Sequence, residues 1–131
     1  MSYTTITPTE VQPVANYKIK MATRMESGRL LYIAGQVARD ADGEVLGKGD
    51  IRAQARQVFQ NVRNVLQAAG GDLDDLLKMT TYITNIDDFP AVVEIRSSFF
   101  SGTLPASTLI VVSRLAQPEL LIEVEGMAAI G

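Results

Sequence analysis

The stretch Pro105–Ala128, PASTLIVVSRLAQPELLIEVEGMA, decides the fold that the sequence predicts. Its β-branched and aliphatic residues predict two strands that a short turn at residues 116–118 joins into a hairpin. Because successive side chains of a strand point to opposite faces, Glu123 and Glu125 lie on one face of the second strand. Two carboxylates on one face of an otherwise apolar strand must be solvated, paired or used in chemistry.

The sequence before this stretch predicts further strands and two helices. Apolar residues recur at three- and four-residue spacing over Asp50–Ala69 and over Phe89–Phe100, which predicts an amphipathic helix on each range. Alternating or β-rich segments predict strands over Tyr17–Ala22, Arg29–Gly35 and Leu76–Asn85. The segment Arg29–Gly35 is apolar on both predicted faces, which is typical of a central strand.

This order of elements predicts an α+β fold, in which two helices pack on one face of a mixed β-sheet. The length of 131 residues fits one domain covering residues 1–131, with residues 1–16 as an N-terminal arm. Two helices cannot cover both faces of such a sheet. Since a large apolar face is unfavourable in water, we expect a symmetric oligomer to cover the second face.

Charge and residue usage exclude several classes of function. The net charge is −3 with acidic and basic residues interspersed, whereas a nucleic-acid-binding surface normally carries a basic patch. No apolar run reaches the length of a membrane span, and the first residues lack the pattern of a signal peptide. We therefore expect a cytoplasmic protein without a nucleic-acid or membrane partner.

Cysteine and histidine are both absent from the sequence. Their absence removes disulfides, thiol nucleophiles, Ser-His catalytic pairs and the commonest metal ligand. The acidic segment Asp40–Glu44 lacks the spacing of a calcium-binding loop and predicts a turn, so we expect no metal site. Any catalysis must run on carboxylates, hydroxyls, arginines, backbone groups and bound water.

Glu123 is the candidate catalytic residue. Leu120 and Leu121 beside it indicate partial burial, and desolvation raises the pKa of a carboxyl group toward the range in which it transfers protons at neutral pH. The alternative is a strand whose acidic side chains simply meet solvent. That alternative applies most strongly to Glu125.

Other residues are candidates for contact with a ligand. Ser107 shares its strand face with Leu109, and its hydroxyl can hydrogen-bond a ligand or serve a structural role. Arg114 follows the same strand and can clamp an anion through two parallel hydrogen bonds, or form an ordinary surface ion pair. Tyr17 can stack on a small ligand or belong to the core.

Several motifs together resemble the reactive-intermediate deaminase family, also called Rid or YjgF-like, whose older members are described as endoribonucleases. The resemblance runs in order from about Tyr17 to Ile130. The residues that carry it are Ile33-Ala34-Gly35-Gln36, Ala53–Gln57, Asn61-Val62, Asp88-Phe89, Phe99-Phe100, Pro105-Ala106 and Ile122–Ala128. The resemblance implies a chorismate-mutase-like fold that assembles as a homotrimer, with ligand clefts between neighbouring subunits.

The resemblance also implies a chemistry. Members of the family hydrolyse enamines and imines, such as 2-aminoacrylate and 2-iminobutanoate, to 2-keto acids and ammonia without metal or organic cofactor. A glutamate holds the attacking water, and it corresponds to Glu123. The Gly-Gln turn corresponds to Gly35 and Gln36, and the N-terminal tyrosine of the family to Tyr17. These correspondences predict one catalytic residue and three substrate-binding residues.

The sequence departs from the family where the family binds the substrate carboxylate. The family motif Pro-Ala-Arg is Pro105-Ala106-Ser107 here, and position 34 is Ala where the best-known members have Ser. A serine hydroxyl cannot replace a planar, permanently charged fork that forms two parallel bonds. We therefore expect a small-molecule substrate other than a simple 2-imino acid. The alternative is a ligand-binding or regulatory trimer without turnover, and a ribonuclease is the least favoured reading.

Overall fold

The computed structural model describes residues 2–11 and 18–131. The two helices are α1 (Ile51–Ala68) and α2 (Phe89–Phe99), and 3₁₀ turns lie at Leu73–Asp75 and Ile86–Asp88. The strands are β1 (Tyr3–Ile6), β2 (Ile19–Lys20), β3 (Ala22–Met25), β4 (Arg29–Gln36), β5 (Leu76–Ile83), β6 (Leu104–Val111) and β7 (Ile122–Ile130). Within this part of the chain, no helix is long and apolar enough to cross a membrane.

A five-stranded mixed sheet in the order β2-β6-β5-β7-β4 forms the centre of the molecule. β6 runs parallel to β2 and β5, whereas β7 runs antiparallel to β5 and β4. Both helices pack on one face, where Phe59 and Leu66 of α1 share a core with Val92 of α2 and with Met79 and Val124 of the sheet. The predicted α+β fold with two helices on one sheet face is therefore confirmed.

The predicted hairpin over Pro105–Ala128 is wrong, because β5 lies between β6 and β7. The connection between them, residues 112–121, is longer than the roughly two to five residues of common hairpin loops. It crosses the end of β5, where the Val112 amide donates to the Ile83 carbonyl at 2.8 Å and the Thr84 amide to the Leu121 carbonyl at 3.3 Å. The apolar pattern located the strands, but a long-range pairing determined their neighbours.

The prediction of an unpacked arm is wrong for residues 3–6, which form β1. This strand pairs antiparallel with β3 in a separate two-stranded sheet. Tyr3 is buried in a small cluster with Leu77 and Ala129, and its hydroxyl donates to the Asp74 carbonyl at 3.2 Å. The predicted strand Tyr17–Ala22 divides between β2 and β3, and its first residue lies outside the described residues.

The predicted central position of Arg29–Gly35 is also wrong, since β4 lies at an edge of the sheet. One face of this strand supplies Ile33 to the core, but Tyr32 on the other face is 74% exposed. Apolar residues on both faces of β4 therefore reflect a sheet whose second face is left exposed around Tyr32 within one chain. That a second copy covers this face stays a prediction.

Helix α1 begins and ends almost where the sequence predicts. The side chain of Asp50 caps its start by accepting from the Ala53 amide at 3.1 Å. Gly70 follows its end with a φ of 89°, in the left-handed region that favours glycine. The helix thereby has fixed ends, and it presents both the core residues and a set of polar anchors to the sheet.

Candidate functional site

Glu123 and Glu125 lie on the face of the sheet opposite the helices, which we call the open face. Their neighbours Ile122 and Val124 are fully buried on the helix-covered face. The pairing of β7 with β5 places Glu123 opposite Tyr82. The alternation that the sequence predicts for the two acids is thus present in the structure.

The two acids differ in their partners. The Tyr82 hydroxyl donates a short hydrogen bond to the Glu125 carboxylate. This hydrogen bond, followed by desolvation and the charges of Glu125 and Glu123, raises the pKa of Tyr82 above its ordinary value. Among the described residues, no group donates a hydrogen bond to Glu123. One carboxylate is therefore paired, while the other is available to a ligand or a water.

Glu123 lies directly against the backbone of β4. A Cβ atom built at Gly35 would overlap Oε2 of Glu123, so only glycine leaves room for this carboxylate. The register of β4 against β7 is irregular between Ile33 and Gln36, which is the segment that holds Gly35. The structure therefore brings together two of the predicted site residues, Glu123 and Gly35.

Gln36 ends β4 beside this pair. Its side-chain amide donates to the Ala34 carbonyl of its own strand at 3.0 Å. The next residue, Val37, accepts from Nδ2 of Asn61 at 3.1 Å, and Gln57 donates to Asn61 at 2.8 Å. Polar side chains of α1 therefore hold the end of β4 in place next to Glu123.

Gln54 of α1 is a second anchor, which the sequence analysis missed. Its side chain is fully buried, and it donates to the carbonyls of Glu119 at 2.9 Å and Gly47 at 3.2 Å. Its Oε1 accepts from the Leu121 amide at 2.8 Å. These bonds fix the loop that immediately precedes Glu123. A glutamine within the apolar stripe of α1 is the only sequence signal of this role.

The structure does not place Ser107 and Leu109 beside Glu123. They pair in register with Met79 and Thr81, both buried beneath the helices, so they occupy the helix-covered face of β6. One strand, β5, separates them from Glu123 on the opposite face. A single chain therefore does not bring Ser107 and Leu109 together with Glu123.

Arg114 lies in the loop after β6, away from Ser107. Its guanidinium donates to the carbonyls of Leu115 at 3.1 Å and Ala116 at 3.2 Å. It lines a cavity with Asp88 and Thr84 on the helix side of the sheet. Tyr17 lies outside the described residues, so its predicted role stays a prediction.

The described residues contain no group of three or more histidine, cysteine or acidic side chains that is placed to hold a metal ion. Tyr82, on the open face, is the second residue that the sequence analysis missed. Its alternation with Lys78 and Thr80 was visible in the sequence. The predicted hairpin, however, gave β7 the wrong neighbour and so concealed the contact of Tyr82 with the two acids.

Comparison with known proteins gives consistent matches over nearly the whole chain. A family model described as "Endoribonuclease L-PSP" matches residues 7–130. A RutC family protein of Pyrococcus horikoshii is 38% identical over 104 residues, which is 79% of this chain and 82% of the relative. A 2-iminobutanoate/2-iminopropanoate deaminase of Rattus norvegicus is 34% identical over 103 residues, 79% of this chain and 74% of the relative.

Solved structures agree with these sequence matches. A Rid family protein of Yersinia pestis, YyfB, superposes with a TM-score of 0.89 at 36% identity, covering 99% of this chain and 100% of that one. The structure of Escherichia coli TdcF with bound serine superposes with a TM-score of 0.72 at 30% identity, covering 79% of this chain and 83% of that one. The fold and the sequence therefore point to the same set of relatives.

Proposed function

The chain belongs to the endoribonuclease L-PSP family, also called the Rid or YjgF-like family, and on this premise we propose that it is a small-molecule hydrolase of the enamine/imine deaminase type. The observation that carries the proposal is the difference between the two acids of the open face. The Glu125 carboxylate accepts a hydrogen bond from the Tyr82 hydroxyl. Glu123 has no hydrogen-bond donor among the described residues and lies against Gly35, which leaves its carboxylate to bind water.

The proposed reaction needs only that carboxylate and a water molecule. Glu123 takes a proton from the water, whose oxygen forms a bond to the imine carbon. Glu123 returns this proton to the nitrogen of the adduct, which gives a carbinolamine. Glu123 then passes the hydroxyl proton of the carbinolamine to the same nitrogen, the carbon–nitrogen bond breaks, and ammonia leaves with its electron pair. The remaining oxygen forms the carbonyl group of the product, so no electrons are exchanged with a cofactor.

The proposed site is completed between subunits of a homotrimer. Ser107 and Leu109 cannot meet Glu123 within one chain, because they lie on the other face of the sheet and beyond β5. A neighbouring subunit can supply them, together with Tyr17, because Ser107 and Leu109 are only half-buried beneath the helices of their own chain. The exposed Tyr32 and Ile110 on the open face support such an assembly, since exposed apolar groups favour association.

The proposed substrate is an imine or enamine that is not a simple 2-imino acid. Ser107 stands where the family has the arginine that binds the substrate carboxylate. Loss of a charge-assisted contact costs about 1.5–3 kcal/mol, which weakens carboxylate binding by about one to two orders of magnitude. We therefore place the recognition of this substrate in hydrogen bonds and apolar contacts.

The test is release of ammonia from a panel of imines generated in the assay, with and without a carboxylate next to the imine carbon. We expect Glu123→Gln to lower the rate by about 100-fold or more, since general acid–base catalysis contributes about 10²–10⁴. Glu125→Gln is the matched control, and it should retain most of the activity. A Glu123→Gln protein as active as the wild type would overturn the proposal.

Ser107→Arg tests the substrate class separately. This variant restores the family motif, and we expect it to gain hydrolysis of simple 2-imino acids relative to the wild type. Equal rates on 2-imino acids before and after the substitution would mean that position 107 does not set the substrate class. The test of hydrolysis with Glu123→Gln does not depend on this outcome.

The second candidate function is a ligand-binding or regulatory trimer without turnover. The serine at position 107 favours it, and the similar TdcF structure holds a bound serine. It predicts that no imine of the panel is hydrolysed and that Glu123→Gln binds ligand as tightly as the wild type. A ribonuclease, the activity in the family description, fits poorly with a net charge of −3 and no histidine.

A further inference from the structure

A separate cavity of about 560 Å³ lies where the parallel strands β5 and β6 end. Thr84 follows β5, Ser113 and Arg114 follow β6, and Ile51 in the first turn of α1 also lines the cavity. Its volume is within the range of small-molecule sites, about 300–1,000 Å³. Glu123 is not among its lining residues. The cavity is therefore distinct from the site proposed above.

Arg114 supplies a fixed positive charge to this cavity. Nε and Nη2 of its guanidinium donate to the carbonyls of Leu115 and Ala116, which fixes the plane of the group. A guanidinium has five N–H donors, so the Nη1 donors remain for a ligand. Among the described residues, Arg114 forms no ion pair with a carboxylate.

Asp88 supplies the opposite charge. It occupies the N-cap position of α2, but its side chain makes no capping hydrogen bond. Burial and the neighbouring charge of Asp87 raise the pKa of its carboxyl group above the ordinary value. An acid that is partly desolvated and not used by its own helix gains most from a ligand that carries a positive charge.

The cavity thus combines one cation and one anion that do not pair with each other. Thr84 and Ser113 add hydroxyl groups to the lining, and Ile51 and Leu121 add apolar surface. A ligand with only one charge would form a charge-assisted contact with only one of these two groups. A small zwitterion pairs with both.

We propose that this cavity is a second small-molecule site that binds a free α-amino acid, with the carboxylate of the ligand on Arg114 and its ammonium group at Asp88. The side chain of the amino acid lies toward Ile51. This site is independent of the proposed hydrolysis. Binding here requires neither Glu123 nor contact with a neighbouring subunit.

The experiment titrates the full chain with L-alanine, using calorimetry and the backbone amide signals of Thr84 and Ser113. We expect saturable binding that shifts both signals. Acetate and ethylammonium, which each carry one of the two charges, should bind at least tenfold more weakly. If L-alanine binding does not saturate, or if both amide signals stay unchanged, the proposed site is refuted. This test needs no variant.

Paired variants test the assigned contacts. Arg114→Gln and Asp88→Asn should each weaken L-alanine binding at least tenfold. Arg56→Gln and Asp42→Asn alter a charge outside the cavity lining and should leave the affinity within about twofold of the wild type. Equal affinities in all four variants would contradict the proposal.

Glu123→Gln separates this inference from the proposed function. The variant should bind L-alanine as the wild type does. Loss of binding in Glu123→Gln would place the amino acid at the open face and overturn the inference. Conversely, a chain that hydrolyses no imine but binds L-alanine through Arg114 and Asp88 would retain this site while the proposed function failed.

Discussion

The two faces of the central sheet differ although the same strands build both. On the helix-covered face, the side chains of β7 are apolar and buried, as Ile122 and Val124 show. On the open face, the intervening residues of that strand are carboxylates, one paired with Tyr82 and one against Gly35. Alternation along one strand thus separates the residues of the core from the residues of the proposed site. Substitutions on the two faces should therefore change different measurements.

The largest effect is expected beneath the helices, at Gln54. Gln54→Leu leaves the part-buried Glu119 carbonyl and Leu121 amide without their protein partner, and an unsatisfied buried group costs about 1–3 kcal/mol. We expect the free energy of unfolding to fall by about 2–4 kcal/mol in denaturant titrations. Gln60→Leu, on the exposed side of α1, should change it by less than about 0.5 kcal/mol. Similar losses in both variants would contradict a special role for Gln54.

A smaller effect, of a different kind, is expected on the open face at Gly35. The methyl group of Gly35→Ala must displace the Glu123 carboxylate. We expect imine hydrolysis to slow by roughly 10- to 100-fold, because small misplacements of a catalytic group have effects of that size. The free energy of unfolding should change by less than about 1 kcal/mol, since the carboxylate can rotate away.

Gly102→Ala is the control for this comparison, because a Cβ atom there meets nothing within 4 Å. It should leave both the rate and the stability near wild-type values. If the Gly35→Ala protein unfolds far more easily but keeps its specific activity, Gly35 serves stability and not the proposed site, which contradicts the prediction.

The smallest effect concerns the titration of Tyr82. Its hydrogen bond to Glu125 raises the pKa of the phenol, so its ionisation should begin above the ordinary value of about 10. The folded chain holds this proton more tightly than the unfolded chain. The contribution to stability is therefore complete below that ordinary pKa and is lost as pH rises through the raised pKa.

Absorbance at 295 nm measures this titration, and the difference between wild type and Tyr82→Phe isolates the one tyrosine. Glu125→Gln should move the pKa of Tyr82 back toward the ordinary value. If the phenol titrates at the same pH in the Glu125→Gln protein, the contact between β5 and β7 on the open face is not the cause of the shift.

Local patterns predicted the parts of the fold that local physics determines. The apolar stripe and the capping side chain of Asp50 define α1 within a residue or two. The two-residue period of β7 correctly placed Glu123 and Glu125 on one face. These features depend on neighbours along the chain, so the sequence displays them directly.

Pairings between distant segments were not predictable in this way. Strand β5 lies between β6 and β7, and β1 pairs with β3, through contacts that no local pattern reveals. The roles of Tyr82 and Gln54 depend on those pairings, and for that reason the sequence analysis missed them. The proposed contacts of Glu123 with a neighbouring subunit depend in addition on how the subunits associate, which no pattern within one chain reveals.

The inner position of β7 also constrains how the chain folds. This strand follows every other described strand in the sequence, yet it lies inside the sheet, between β4 and β5. Until Ile122–Ile130 has been synthesised, β4 cannot be joined to the β2-β6-β5 unit by strand pairing. Pairing between strands that are far apart in the sequence slows folding. The sheet becomes a single cooperative unit only when β7 inserts between β4 and β5.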